Sequence, residues 1–321
     1  MPKFKPRIFQ TALKPVESRR FLLVAVTTAA LLVGSAGAVG VWRVFFDFSL
    51  GYQVLYRHQL RKIADVHGVD TVFLGDSSLG NALDAAEFSR LTGMNAVNLA
   101  LTGSYGYEGS YNLIKRLAGR PVKNVVVMCT LDMMQREVSY TGYLLTINGL
   151  GDVIELSGAE RIELLSAFFD QIFSFEQILI ALRNLIGFGR QNIFIEDDYI
   201  QQGSPMEKAH LKQMLKSKIK PEKVRFLVRL RDYCAARNLN LIYIHGPIHE
   251  DAGRASADYA AEVNRLLINA GIEIVPELTL IPCEEVGDSP DHVAKQFKEK
   301  FTMHYAEMLK EYLRFGVPSP R

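Results

Sequence analysis

The chain has 321 residues, 48% hydrophobic and 22% charged, a balance that excludes disorder and suffices for a large core without metal or disulfide staples. With 37 Lys and Arg against 35 Asp and Glu, the net charge of +2 gives no support to nucleic acid as a partner. Cys129, Cys234 and Cys283 show no zinc-like spacing, allow at most one internal bridge, and read as plain buried thiols.

Residues 1–20 are basic (Lys3, Lys5, Arg7, Lys14, Arg19 and Arg20 against Glu17) and read as a cytoplasmic tail. From Phe21 to Trp42 the sequence carries no charge, and about 20 such residues span a bilayer core. The expectation is a single-pass anchor over 21–42 in the inner membrane, with everything after Trp42 on the periplasmic side. A signal peptide cleaved near Ser35–Ala38 is the alternative, and it leaves the bulk of the chain outside as well.

Residues 43–64 continue as a juxtamembrane segment, with helical character from Asp47 to Ala64, and 65–321 form the outer domain. There a strand at Asp70–Leu74 stops at Gly75-Asp76-Ser77-Ser78. A helix opens at Asp84, with Glu87 placed for a capping box. A strand at Ala96–Leu101, a helix at Tyr107–Ala118 and a strand at Asn124–Cys129 follow. Residues 140–220 read as a helical insertion without a clear strand, including a long helix over Glu160–Asn184; Asp197-Asp198 read as a solvated loop. Alternation then resumes: helix Pro221–Arg237, strand Leu239–His245, helix Ala257–Ala270, strand Ile272–Val275 and a last helix at Val293–Phe315. Short apolar strands alternating with helices predict an α/β fold whose parallel sheet is covered on both faces, with ligands beyond the carboxyl ends of the strands.

Two segments carry possible chemistry. Ser77 follows a strand at that edge, and a serine there becomes a nucleophile when a base takes its proton. His292, in Gly287-Asp288-Ser289-Pro290-Asp291-His292, has carboxylates close by that can fix its tautomer. His245, at the end of another strand, is a candidate substrate contact. The Gly103–Gly109 stretch has the wrong spacing for a dinucleotide loop and lacks the acidic partner about 20 residues on. Neither a cofactor nor a metal site is expected.

Together the Gly-Asp-Ser turn and the C-terminal Asp/His segment resemble the SGNH (GDSL-like) hydrolase superfamily. The resemblance implies a three-layer α/β/α sandwich of flavodoxin-like type, with Ser77 as nucleophile, His292 as base and Asp288 or Asp291 as the orienting acid. Ser289 stands where the usual Asp-x-x-His spacing would put the acid, and Asp288 is preferred because Asp291 adjoins His292. Asn98–Gly103 resembles the second family block and places Gly103, with the Ser77 backbone, at the oxyanion; Asp76, in the nucleophile turn, is a candidate oxyanion or substrate contact. The third block departs: Cys129-Thr130-Leu131-Asp132 has Leu131 where the family has an oxyanion-binding Asn, leaving Thr130 and Asp132 as site-wall residues. Such departures are seen among membrane-anchored relatives of DltD and alginate-acetylation type. These imply O-acyl transfer to, or removal from, a cell-surface polysaccharide, with a multi-pass membrane-bound O-acyltransferase as partner. A non-catalytic polysaccharide-binding or export-scaffold module, and a lipase on membrane lipids, are the competing expectations.

Overall fold

The computed structural model describes residues 15–45, 51–65, 67–173, 194–196, 199–201 and 212–313; along the first helix, side chains are described at Arg19–Ser35, Gly37 and Ala38. The chain divides into two compact units, residues 1–47 with 169–188, and residues 48–168 with 189–321.

The described part of the first unit is helix α1, Pro15–Phe45, together with residues 169–173. Phe21 on α1 is 70% exposed, and Leu22, Leu23, Val24, Val26, Leu31, Leu32 and Val33 are exposed with it. Among the described residues, no helix is long and apolar enough to cross a membrane.

The second unit opens with α2 (Gly51–Asp65) and is organised by a five-stranded parallel sheet. Its strands are β1 (Thr71–Gly75), β2 (Ala96–Ala100), β3 (Asn124–Cys129), β6 (Asn240–His245) and β8 (Glu273–Val275), in the order β2-β1-β3-β6-β8. Every residue of β1 and β3 is buried, so both faces of the sheet are covered, as a parallel sheet requires. On one side α3 (Ser77–Ala82), α4 (Ala85–Thr92) and the last helix α12 (Lys298–Leu309) pack together against β1, β2 and β3. Elsewhere α5 (Gly106–Lys115) packs on β1 and on α9 (Val224–Ala235), α9 on β6, and α11 (Ala257–Asn269) on β8. The edge strand β2 is guarded by α2: Gln59 Nε2 donates to Ala100 O at 2.6 Å, and Lys62 Nζ donates to Asn98 O.

The order starts in the centre, moves out to β2, and returns past β1 to β3. Chain connections therefore part above β1 and β3, the position where sheets of this order bind ligands. Gly75 brings the two strand ends close. It pairs with Met128, and a Cβ on it would lie 1.7 Å from Met128 O, so no other residue fits without moving β3.

Several boundaries depart from the sequence reading. Asp84 caps α4 by accepting from the N–H groups of Ala86 and Glu87, but the capping box is only half formed. Glu87 turns to Arg90, and the Asp84 N–H donates to Thr302 Oγ1 at 2.9 Å, a long-range partner that no local rule includes. The insertion holds α6 (Tyr140–Thr146), α7 (Leu150–Ile154) and α8 (Gly158–Phe173), and also an antiparallel hairpin of β4 (Phe194–Glu196) and β5 (Tyr199–Gln201). Strands of three residues carry too little periodicity to announce themselves. β5 is held by Asn81, whose side chain donates to Ile200 O at 3.0 Å and accepts from its N–H at 2.7 Å. The expected helix beyond Phe173, the Asp197-Asp198 loop and the end of the last helix at Phe315 lie outside the described residues.

The last helix starts at Lys298 rather than Val293, because Val293 bridges antiparallel to Val286 and closes residues 286–293 into a tight loop. Between β6 and β8 lie the short strand β7 (Ile248–His249) and helix α10 (Glu250–Ala255). The short strand β9 (Leu280–Ile281) follows β8 and pairs in parallel with β7. Cys129 and Cys234 are buried free thiols, whereas Cys283 is exposed, which corrects its expected burial.

Candidate active site

Ser77 is the first residue of α3, directly after the Gly75-Asp76 turn that ends β1. Asp76 makes that turn rigid. Its carboxylate accepts from Ser78 N at 3.0 Å and Ser78 Oγ at 2.6 Å, which caps α3. It also accepts from Thr130 N at 2.9 Å, tying the turn to the end of β3. Burial and the neighbouring Asp291 charge push the Asp76 carboxyl up to about 6, against the pull of its hydrogen bonds and of Arg136. Asp76 was expected at the substrate; it is buried and faces the protein, so it positions the turn instead.

His292 reaches the same place from the other end of the chain. The Val286–Val293 bridge and the Gly287 N–H to His292 O hydrogen bond (2.7 Å) fix its loop. Its Nε2 lies 2.9 Å from Ser77 Oγ, and its Nδ1 lies 2.6 Å from Asp288 Oδ1. The two nitrogens are thus divided between a hydroxyl and a carboxylate, an arrangement in which the imidazole can accept the serine proton while its other N–H points at Asp288. Asp291 Oδ1 stands 4.0 Å from Nε2, on the serine side. Of the two aspartates left open by sequence, Asp288 is the one on Nδ1.

Ser77 is 8% exposed and His292 2% exposed. Burial alone would make the imidazole harder to charge, but Asp291, Asp288 and Asp76 outweigh it and raise the His292 pKa above its ordinary value. Burial likewise favours a neutral Asp291. The His292 charge, hydrogen bonds from Ser289 and Thr130, and Arg136 nevertheless hold its carboxyl below the usual range.

Gly103 opens a short 3-10 turn just after β2. Among the described residues, the backbone N–H groups of Ser77 and Gly103 donate no internal hydrogen bond. Leu131 is buried and offers no polar side chain.

Arg136, which no sequence pattern singled out, lies against the glycine: a Cβ on Gly103 would be 2.1 Å from its guanidinium. It pairs with Asp132 at 2.8 Å, and Asp132, Asp76 and Asp291 outweigh burial to hold the guanidinium charged. The one available signal was that Asp132–Arg136 spacing, a common surface pair in helices. Thr130 and Asp132 line a cavity of about 340 Å³ with Arg136 and Asp291.

His245, expected at the substrate, is placed otherwise. Its ring is buried, hydrogen-bonds Asn264 Oδ1 through Nε2 at 2.6 Å and stacks edge-on with Tyr243. Burial drives its pKa down to about 4, so it is a neutral packing group under the strand end.

Fold and side chains together define an α/β protein with a parallel sheet of flavodoxin-like order and a serine–histidine–aspartate constellation at the strand ends. No family model matches the chain, and no curated protein does. Among solved structures, an acetyl xylan esterase (Est2A) from the rumen bacterium Butyrivibrio proteoclasticus is similar at 10% identity and a TM-score of 0.33, over 77% of this chain. The match spans 64% of that protein's length.

Proposed function

We propose that the chain is a membrane-anchored, extracytoplasmic serine acyl-ester enzyme that moves an O-acyl group, such as acetyl, to or from a cell-surface polysaccharide. The observation that carries the reading is the unbroken chain Ser77 Oγ–His292–Asp288, with contacts of 2.9 and 2.6 Å. In the reaction, Ser77 Oγ attacks the acyl carbonyl as His292 Nε2 takes its proton, and Asp288 stabilises the imidazolium so formed. The N–H groups of Ser77 and Gly103 are the donors for the oxyanion. His292 then returns its proton to the departing alcohol, and a second hydroxyl or water releases the acyl group from Ser77.

The anchor rests on Phe21–Trp42, which carries no charge within the 31-residue helix α1. The apolar side chains exposed along it, Phe21 to Val33, support that reading. A polymer acceptor and a membrane-bound acyl donor or O-acyltransferase are the partners such a tether would serve.

A fluorophosphonate probe tests the core of the reading: it should label the protein, and Ser77→Ala should abolish labelling. Wild-type protein that resists the probe would favour the second reading, a non-catalytic polysaccharide-binding or export-scaffold module. Leu131 favours that reading, because losing an oxyanion donor costs about 3–4 kcal/mol of barrier.

A further inference from the structure

Asp291 is the charged group that the triad leaves over. Asp288 occupies His292 Nδ1, yet Asp291 Oδ1 stands 4.0 Å from Nε2, the nitrogen that must handle every proton of the reaction. Ser289 Oγ and the Thr130 side chain donate to Asp291, and Arg136 lies near enough to attract it. A carboxylate offers about four acceptor directions, so two hydroxyl contacts leave capacity to spare. Asp291 also lines the 340 Å³ cavity, together with Thr130, Ser289, Arg136, Lys212 and Gln213. Asp291 thus both lines the cavity and stands 4.0 Å from His292 Nε2.

We propose that Asp291 binds the acceptor in the second half of the reaction, by accepting a hydrogen bond from a second O–H while the attacking O–H faces His292 Nε2. The acceptors it suits are water and vicinal diols, as on a sugar ring; a monohydric alcohol has no second O–H to give. This rests on the acyl-enzyme reading above. In the step, the acceptor O–H bond breaks, its proton goes to Nε2 and its oxygen bonds the acyl carbon. The bond from that carbon to Ser77 Oγ then breaks, and Nε2 returns the proton to Oγ. Asp291 remains a carboxylate throughout. An acceptor with no second O–H forfeits that additional charged hydrogen bond, a discrimination of about tenfold to a hundredfold.

The test uses the full chain in detergent, p-nitrophenyl acetate as donor, and ethylene glycol or methanol as competing acceptors at mildly alkaline pH. The wild type should form glycol monoacetate at least about tenfold faster per mole than methyl acetate. Asp291→Asn and Asp291→Ala should each reduce that preference to a few-fold, with the thermal melt of the Asn variant close to wild type; the preference is a ratio between two acceptors on one protein, so a changed acylation rate leaves it readable. No glycol preference in the wild type, a preference that survives both variants, or variants that transfer acetyl to neither acceptor would overturn the assignment. Absence of any Ser77-bound acetyl in the wild type would instead overturn the acyl-enzyme reading itself, and this inference with it.

Discussion

Gly75→Ala concentrates the logic of the site in one methyl group. The added Cβ would lie 1.7 Å from Met128 O, 2.8 Å from Met128 C and 3.2 Å from Leu79 Cδ2. The oxygen is backbone, part of the central β1–β3 ladder, and it sits about 1.7 Å inside ordinary van der Waals contact. β1 and β3 must therefore part at their carboxyl ends, where Asp76 accepts from Thr130 N and where Ser77 begins α3. Overpacking of this kind costs about 1–3 kcal/mol, or roughly 2–12 °C of melting temperature in a domain of this size. A shift of about 1 Å between Ser77 and His292 costs on the order of a hundredfold in rate. Gly158→Ala is the control, since nothing lies within 4 Å of its Cβ position and it opens α8. Circular dichroism melts and fluorophosphonate labelling rates should show Gly75→Ala impaired in both and Gly158→Ala in neither. A Gly75→Ala protein that melts and reacts like wild type would refute the claim that this close approach sets the nucleophile.

Other outcomes follow from the charges around the site. Ester hydrolysis needs neutral His292, whose pKa is raised by Asp291, Asp288 and Asp76, so activity should rise with pH through a midpoint above about 6.5. Asp288→Asn should move that midpoint down and cut the plateau by on the order of a hundredfold to ten-thousandfold; an unmoved midpoint in the kcat/KM profile would count against Asp288 as the partner. The Asp76 carboxyl, raised from 3.8 to about 6, stabilises the fold while protonated, and that contribution is lost as pH rises through about 6. Between about pH 4 and pH 7, urea titrations should therefore shift in favour of Asp76→Asn over wild type, by on the order of 3 kcal/mol. A pH-independent difference would show that the buried charge is better solvated than its surroundings suggest. Lys223 Nζ is buried on Glu108, at 2.9 and 3.1 Å, and donates to Glu137 O at 2.8 Å. Lys223→Met strands the Glu108 charge and should cost about 3–5 kcal/mol in urea unfolding, most of it recovered by adding Glu108→Gln.

The sequence by itself determined what local chemistry can determine. β-branched runs such as Asn124–Cys129 marked strands, Gly75-Asp76-Ser77 marked a strand end with a hydroxyl beside it, and Asp84 marked a helix start. It also supplied the residues that meet, since the resemblance already named Ser77, His292 and two aspartates. Tertiary structure decided what depends on distance between remote segments. It put Asp288 on Nδ1 and Asp291 beside Nε2, turned His245 inward to Asn264, and laid Arg136 on Gly103. It also gave Asp84 N–H to Thr302 and Ile200 to Asn81, across more than a hundred residues each. Spacing along a chain fixes which face of its own element a side chain occupies. Which foreign group it meets there is set by how strands order and loops close, and a periodic pattern holds no record of that.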